Sequence, residues 1–273
     1  MKKILAYILL LIFLAGCSRK TDWPVSGNVS RLIAVDGILT DQEGIQVIKL
    51  TRPVSQLNET PQPLTGATVL VSNEDSVWTL TEKPDYPGNY QTPSYFFCRV
   101  NKNYNLKIYY GKEIYTAKTY MVPGTVFNEL RYARNDDDEL YHIDFVASAF
   151  TTGSPAMWEI LIDWSNVSGF KNKDSLSTHA RLLFYTLPTL DVTEIFAPVA
   201  EKISFPAGSI IDEKRYSLNP AHAEYIRELL LETTWQGGLF PTENANVQSN
   251  LSSGAVGFFG TCAVTELSLI VAK

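Results

Sequence analysis

The sequence has few of the residues that most often bind metals or act as nucleophiles. Its 273 residues include three cysteines and three histidines. His142, His179 and His222 are 37 and 43 residues apart, whereas paired metal ligands on a helix or turn are close in sequence. We therefore predict no metal site and no cofactor. His222 falls in the first turn of a predicted helix, where we expect it to lie at the surface.

Catalytic motifs are also missing from the sequence. It contains neither the Gly-x-Ser-x-Gly turn of α/β-hydrolases nor the Gly-x-x-x-x-Gly-Lys-Ser/Thr loop that binds phosphates. Glu159, Asp163 and the acidic run 135–139 are the weak candidates for carboxylate chemistry. A strand would place Glu159 and Asp163 on one face and Ile160 and Ile162 on the other, as in any half-buried strand. We predict no catalytic residues and no enzymatic activity, and an unrecognised hydrolase is the least favoured alternative.

The acidic run argues against a calcium site, and the overall charge argues against nucleic-acid binding and a polybasic membrane patch. Residues 135–139 lack the alternating ligand spacing and central glycine of an EF-hand loop, so we predict a solvated loop between two strands. The chain has 23 basic and 29 acidic residues and a net charge of −6. This balance argues against nucleic-acid binding and against a polybasic membrane patch.

The N-terminus predicts a lipid anchor. Lys2 and Lys3 precede an apolar run that ends at Leu14 and is too short to span a bilayer. The run leads into Leu14-Ala15-Gly16-Cys17, which resembles the bacterial lipobox. We predict a signal peptide over 1–16, acylation of Cys17 and a polar tether over 17–28. Ser18 replaces the aspartate that commonly retains lipoproteins in the inner membrane, which favours the outer membrane and leaves the periplasmic or surface side open.

Two cysteines remain after Cys17. Cys98 and Cys262 could form a disulfide in an oxidising compartment. Both have apolar or aromatic neighbours in the sequence, and we favour two buried free thiols.

Short strands dominate the pattern up to residue 121. Runs rich in branched and aromatic residues, separated by turn residues, predict an immunoglobulin-like β-sandwich over 29–121. The predicted strands are 30–39, 45–51, 67–72, 77–81, 104–110 and 113–119, the last two joined at Gly111-Lys112. Met121-Val122-Pro123-Gly124 marks the predicted domain boundary.

The remaining residues, 122–273, predict a second β-rich domain with one amphipathic helix near 220–235. Asn219 is the expected N-cap, Pro220 suits the first turn and Gly237-Gly238 ends the segment. The helix is expected to pack on a sheet through Tyr225, Ile226, Leu229 and Leu230. The predicted strands are 140–149, 157–164, 180–187, 254–260 and 264–272. Within 254–260, the glycines are expected to let a bulky neighbour or a ligand approach the backbone.

Two groups of motifs resemble one known family. The first is Leu32–Asp41, Val47–Arg52 and Gly66–Val69, and the second is Gly237–Pro241, Asn244–Val247, Ser249–Leu251 and Gly257–Phe259. In this order they resemble the Bacteroidota lipoproteins grouped as domain of unknown function 4249. The resemblance implies an envelope lipoprotein, often encoded beside a TonB-dependent outer-membrane receptor, and it brings no activity or catalytic residues.

Three functional hypotheses follow. The first is a non-enzymatic outer-membrane lipoprotein that binds a ligand or serves a TonB-dependent receptor in nutrient uptake. The second is a carbohydrate- or peptide-binding or adhesive surface module that uses Trp78, Trp158, Trp164 or Trp235, although core packing is favoured for each tryptophan alone. The third is the unrecognised hydrolase.

Overall fold

The protein is described by a computed structural model that covers residues 32–54, 59–171, 173–189, 202–233 and 247–273. The leader with Cys17, the tether, Trp235 and Gly237-Gly238 lie outside these residues. Within them the chain is mainly β with one α-helix, which confirms the predicted fold class. The strands are β1 (Ile33–Thr40), β2 (Val47–Thr51), β3 (Thr68–Ser72), β4 (Val77–Glu82), β5 (Asn89–Gln91), β6 (Asn103–Tyr110), β7 (Glu113–Tyr120), β8 (Arg131–Arg134), β9 (Tyr141–Phe145), β10 (Ala156–Asp163), β11 (His179–Thr186), β12 (Ile210–Ser217), β13 (Ala255–Cys262) and β14 (Val264–Ile270). The helix is α1 (Pro220–Thr233).

Eight strands form the first sheet, in the order β13-β1-β2-β5-β4-β3-β6-β7. Successive side chains of a strand point to opposite faces, so alternate residues reach the core. In β1 these are Ile33, Val35 and Leu39, all fully or almost fully buried. They belong to one core cluster with alternate residues of β3 and β6.

The two ends of this sheet approach each other. Leu251 forms a bridge with Ala117 of β7, and the N–H of Ser252 donates to the Thr116 carbonyl at 2.8 Å. The segment that leads into β13 therefore bonds to the opposite edge strand. The sheet curls around its core in a sandwich- or barrel-like arrangement.

The first sheet includes a strand from the far end of the chain. β13 pairs in parallel with β1, from Ile33 opposite Ala255 to Thr40 opposite Cys262. The predicted boundary at 121–124 does fall between β7 and β8. However, the first sheet extends beyond the range 29–121, because β1 takes one of its hydrogen-bonding partners, β13, from within 122–273.

The second sheet has four antiparallel strands in the order β11-β10-β12-β14. Its core cluster contains Trp158, Ile160 and Ile162 of β10, and the hairpin β8-β9 contributes Tyr132 and Tyr141. Of these elements, β12 and β8 were not predicted, and neither was β5 in the first sheet. In β12, the charged run 212–215 hides the strand pattern, because charged residues are uncommon in strands.

Helix α1 begins where the sequence predicts. The side-chain Oδ1 of Asn219 accepts the His222 N–H at 2.9 Å, which confirms the N-cap. The apolar face differs from the predicted stripe, since Leu229 is 39% exposed. The buried positions are His222, Ala223, Ile226, Leu230 and Leu231. Their cluster includes Ile38 of the first sheet and Met157 of the second, so α1 lies at the junction of the two sheets.

Candidate functional site

A groove of about 550 Å³ lies between α1 and the outer face of the first sheet. We call it the helix groove. Its walls are largely apolar and come from both sheets and the helix. The apolar lining residues include Ile38, Met157, Tyr185, Ile226, Leu229, Leu230 and Phe258.

Two exposed charges of opposite sign line the helix groove. Asp36 of β1 and Lys49 of β2 are direct cross-strand partners. Tyr225 lines the groove from the helix, and its pKa is raised by burial and further by the negative charge of Asp36. An apolar wall therefore adjoins one acid and one base, an arrangement suited to an amphipathic ligand.

Three rings form one side of the helix groove. Phe258 of β13 stacks on His222 with centroids 4.7 Å apart and on Tyr225 with centroids 4.7 Å apart. The interplanar angles are 22° and 24°, close to parallel. Stacked aromatic rings restrict each other's position. The position of this wall therefore depends on both β13, which carries Phe258, and α1, which carries His222 and Tyr225.

His222 is buried, which corrects the predicted surface position. Its side chain is 1% exposed because the first turn of α1 packs directly on β13. A Cβ at Gly260 would lie 2.8 Å from its Cε1, so glycine makes room for the ring. This confirms the expectation that a glycine in 254–260 admits a bulky neighbour.

The His222 ring also contacts a buried thiol. The Sγ of Cys262 lies 3.7 Å from the His222 Nδ1. Burial lowers the pKa of His222 to about 4 and raises the pKa of Cys262 well above its ordinary value. At neutral pH the pair is a neutral imidazole and a thiol, whereas a reactive cysteine requires a thiolate.

Cys98 and Cys262 are both free and buried, as predicted. Cys98 belongs to the core of the first sheet, whereas Cys262 belongs to the cluster around α1. Burial raises the pKa of the Cys98 thiol to about 12. The two thiols therefore occupy different packing layers.

The two candidate carboxylates share the half-exposed face of β10, with Ile160 and Ile162 on the buried face. Glu159 forms an ion pair with Arg181 at 2.5 Å and accepts a hydrogen bond from the Tyr216 hydroxyl at 2.9 Å. Arg181 lies opposite Leu161 and Tyr216 lies opposite Met157, so both contacts of Glu159 are diagonal contacts between neighbouring strands, as on an ordinary sheet face.

Asp163 has its own set of partners. It accepts the Ser165 N–H at 2.8 Å and lies 3.3 Å from the Nε2 of His179. Hydrogen bonds from Ser165, together with the charge of His179, lower the pKa of the Asp163 carboxyl. Asp163 and Glu159 thus serve two separate polar contacts on this face.

The acidic run forms the loop between β8 and β9, as predicted. The Asp138 Oδ1 accepts hydrogen bonds from the Asn135 side chain at 2.9 Å and from the Leu140 N–H at 2.8 Å. His142 bonds to Asn135 at 2.7 Å. Among the described residues, no three His, Cys, Asp or Glu side chains are arranged to hold a metal ion.

The described tryptophans do not form a joint platform. Trp158 and Trp164 are buried in the core of the second sheet, where the Trp158 Nε1 donates to the Thr186 hydroxyl at 2.9 Å. Trp78 packs on the core of the first sheet with its ring at right angles to Phe96. Packing therefore accounts for these three rings, and Trp235 lies outside the described residues.

The sequence did not indicate the helix groove. Asp36 and Lys49 are ordinary polar positions of alternating strands, and only the β1–β2 register brings them together. Phe258 joins them through the parallel pairing of β13 with β1. The one local signal was the glycine run 254–260, which indicates that another group approaches the backbone closely but does not identify that group.

Comparison with known proteins identifies the family. Residues 21–268 match the family model described as domain of unknown function, DUF4249. The chain belongs to the DUF4249 family. Residues 1–18 match the prokaryotic membrane lipoprotein lipid attachment site. No curated protein matches the chain.

This DUF4249 protein is a membrane-anchored lipoprotein. Cys17 is the single cysteine within the matched attachment site, and acylation at such a site anchors a protein without a membrane-spanning helix. No helix in the described part of the chain is long and apolar enough to cross a bilayer. The bacterial group and the outer membrane remain predictions.

Proposed function

We propose that this DUF4249 lipoprotein is a non-enzymatic binding protein that takes an amphipathic ligand into the helix groove. The observation that carries the proposal is the groove itself. Its volume of about 550 Å³ falls within the range of small-molecule sites, roughly 300–1,000 Å³. Its apolar wall would cover the body of the ligand, while Asp36 and Lys49 would orient a polar end.

The chemistry beside the groove supports binding rather than catalysis. His222 and Cys262 are neutral at neutral pH, so this pair offers neither a thiolate nor a charged imidazole. The carboxylates of Glu159 and Asp163 are engaged in ion pairs and hydrogen bonds on the face of β10.

The helix groove can be tested with Nile red, a neutral apolar dye whose emission rises in apolar surroundings. The test uses the mature chain with Cys17→Ser, which needs no detergent and leaves the described residues unchanged. We expect saturable binding and at least a tenfold loss of affinity in Leu229→Trp, because the larger ring fills the groove. The matched control is Leu176→Trp, at a position that is 91% exposed. Equal binding by both variants would rule out the helix groove as the site.

We further propose that the protein acts at the outer membrane beside a TonB-dependent receptor. This partnership is suggested by the family resemblance. The test is purification of the lipidated protein from gently solubilised envelopes, followed by mass spectrometry. Enrichment of a TonB-dependent receptor over a Cys17→Ser control supports the partnership, and recovery without any such receptor contradicts it.

A further inference from the structure

A second groove, of about 390 Å³, lies where the residues after β7 meet the loop before β10 and the start of α1. We call it the proline groove. Its apolar wall is formed by Val122, Pro123, Pro155, Pro188, Leu218 and Pro220. Four of these six are prolines, whose rings give a rigid surface without backbone N–H donors.

A buried guanidinium lies at this groove. Arg215 of β12 is 3% exposed and is the only charged residue among the described residues that line the groove. Its Nη2 donates to the Ser154 carbonyl at 2.7 Å, and its guanidinium carbon lies 5.5 Å from the centroid of the Trp158 ring. Its Nη1 is buried without a hydrogen-bond partner.

The neighbouring acid does not neutralise Arg215. Glu213 lies on the same buried face of β12, but its Oε2 accepts the Leu130 N–H at 3.2 Å. Burial raises the pKa of the Glu213 carboxyl to about 7, so a large part of it is uncharged at neutral pH. A buried cation without a counter-ion is unfavourable, and an anion that reached the guanidinium would relieve this cost.

The start of α1 adds positive potential to the same groove. Pro220 is the first residue of this 14-residue helix and lines the groove. The first turn contains no acidic residue, so the positive end of the helix dipole is not neutralised locally. The positive end of a helix dipole and a guanidinium both favour an anion.

We propose that the proline groove binds a carboxylate carried on a compact apolar group. Arg215 holds the carboxylate through its guanidinium, the start of α1 adds attraction, and the proline wall covers the apolar part. A guanidinium fits a carboxylate because both are planar and can share two parallel hydrogen bonds. The carboxylate comes from a small organic acid or from the C-terminus of a peptide. This site is separate from the helix groove.

The proposal is tested by isothermal titration of the mature chain with Cys17→Ser. The probes are phenylacetate, its neutral analogue phenylacetamide, and the tripeptide Ala-Pro-Phe with a free or an amidated C-terminus. We expect saturable one-site binding of phenylacetate, with phenylacetamide at least tenfold weaker. Tighter binding of the free-acid tripeptide than of phenylacetate assigns the site to peptide ends, and the reverse order assigns it to small acids.

Two variants and one spectroscopic measurement show whether Arg215 is responsible. Arg215→Met should weaken phenylacetate binding at least tenfold, while Lys112→Met, which removes a positive charge from an exposed turn, should leave it unchanged. Should Arg215→Met fail to fold, the side-chain ¹⁵N signal of Arg215 in the otherwise unchanged chain must shift with phenylacetate. Three results would overturn the proposal. They are no saturable binding of phenylacetate or of the free-acid tripeptide, equal phenylacetate affinity in Arg215→Met and the parent, and an Arg215 side-chain signal that does not shift with phenylacetate.

Discussion

The ring of His222 lies directly against the backbone of Gly260, on the strand that α1 covers. A Cβ at residue 260 would lie 2.8 Å from the His222 Cε1 and 2.9 Å from its Nδ1. Both neighbours are held firmly, because His222 is stacked on Phe258 and Gly260 belongs to a strand that is paired with β1. Helix and sheet can therefore meet at this point only if residue 260 has no side chain.

We expect Gly260→Ala to lower the free energy of unfolding by about 1–3 kcal/mol, the usual cost of inserting a methyl group into a packed core. Urea unfolding monitored by tryptophan fluorescence measures the change. Gly153→Ala is the matched control, since a Cβ there meets no atom within 4 Å. Equal stability of the two variants would contradict the close packing of His222 on Gly260.

The burial of His222 predicts a loss of stability in acid. Its pKa is about 4 in the folded protein and about 6.5 when unfolded. The unfolded chain therefore binds the proton more readily between these values, and stability falls as the pH drops from 6.5 toward 4. His222→Gln removes this contribution, about 2 kcal/mol between pH 7.5 and pH 4.5. Urea unfolding at both pH values measures it, and parallel pH profiles for the two proteins would contradict the prediction.

Glu213 predicts the opposite dependence on pH. Burial, together with the charge of Glu129, raises its folded pKa to about 7 from an ordinary value of 4.5. The folded protein therefore holds the proton more tightly, and stability is lost as the pH rises from 4.5 through 7. Glu213→Gln should remove a loss of about 3 kcal/mol between pH 4.5 and pH 8. The measurement is the difference in unfolding free energy between variant and parent at pH 4.5 and pH 8, and a constant difference would refute it.

The two buried thiols should be inert in the folded protein. Maleimide should leave Cys98 and Cys262 of the mature Cys17→Ser chain unmodified in buffer, because the thiolate is the reactive form and burial disfavours it. In 6 M guanidinium chloride the chain is unfolded, and both thiols should be modified. Val126→Cys, at a position that is 89% exposed, provides a rapidly labelled control. Intact mass spectrometry checks the result. Rapid native labelling would contradict the burial of the two thiols, and a Cys98–Cys262 disulfide would contradict their free state.

The lipid attachment site predicts how the protein partitions. Cys17→Ser should abolish acylation and move the protein from the membrane fraction to the soluble fraction of the envelope. Metabolic labelling with a fatty acid and fractionation measure the two effects. A parallel Ser18→Ala variant, which keeps the cysteine, should stay with the membrane. Membrane retention of Cys17→Ser without label would point to a second attachment.

The sequence allowed good predictions wherever a rule is local. The start of α1 follows from the capping chemistry of Asn219 and the fixed backbone of Pro220. The shared face of Glu159 and Asp163 follows from the two-residue period of a strand. Neither prediction needed any knowledge of distant parts of the chain.

Predictions from local pattern were less successful where tertiary packing overrides propensity. The strand β12 buries Glu213 and Arg215, and a run of four charged residues does not resemble a buried strand. The surface position expected of His222 was wrong because a strand far along the chain covers the first turn of α1. Both grooves depend on such distant pairings, so the composition of the local segments did not reveal them.

The parallel pairing of β1 with β13 also has a consequence for the order of folding. A chain exported from its N-terminus presents β1 early, but β13 emerges only near the end, so this contact has a very large sequence separation. Contacts of this kind form slowly because a long loop must close first. Until then one edge of β1 has no partner and can pair with other chains. The newly exported lipoprotein is therefore most prone to aggregation close to its anchor, and completion of β13 ends that vulnerable period.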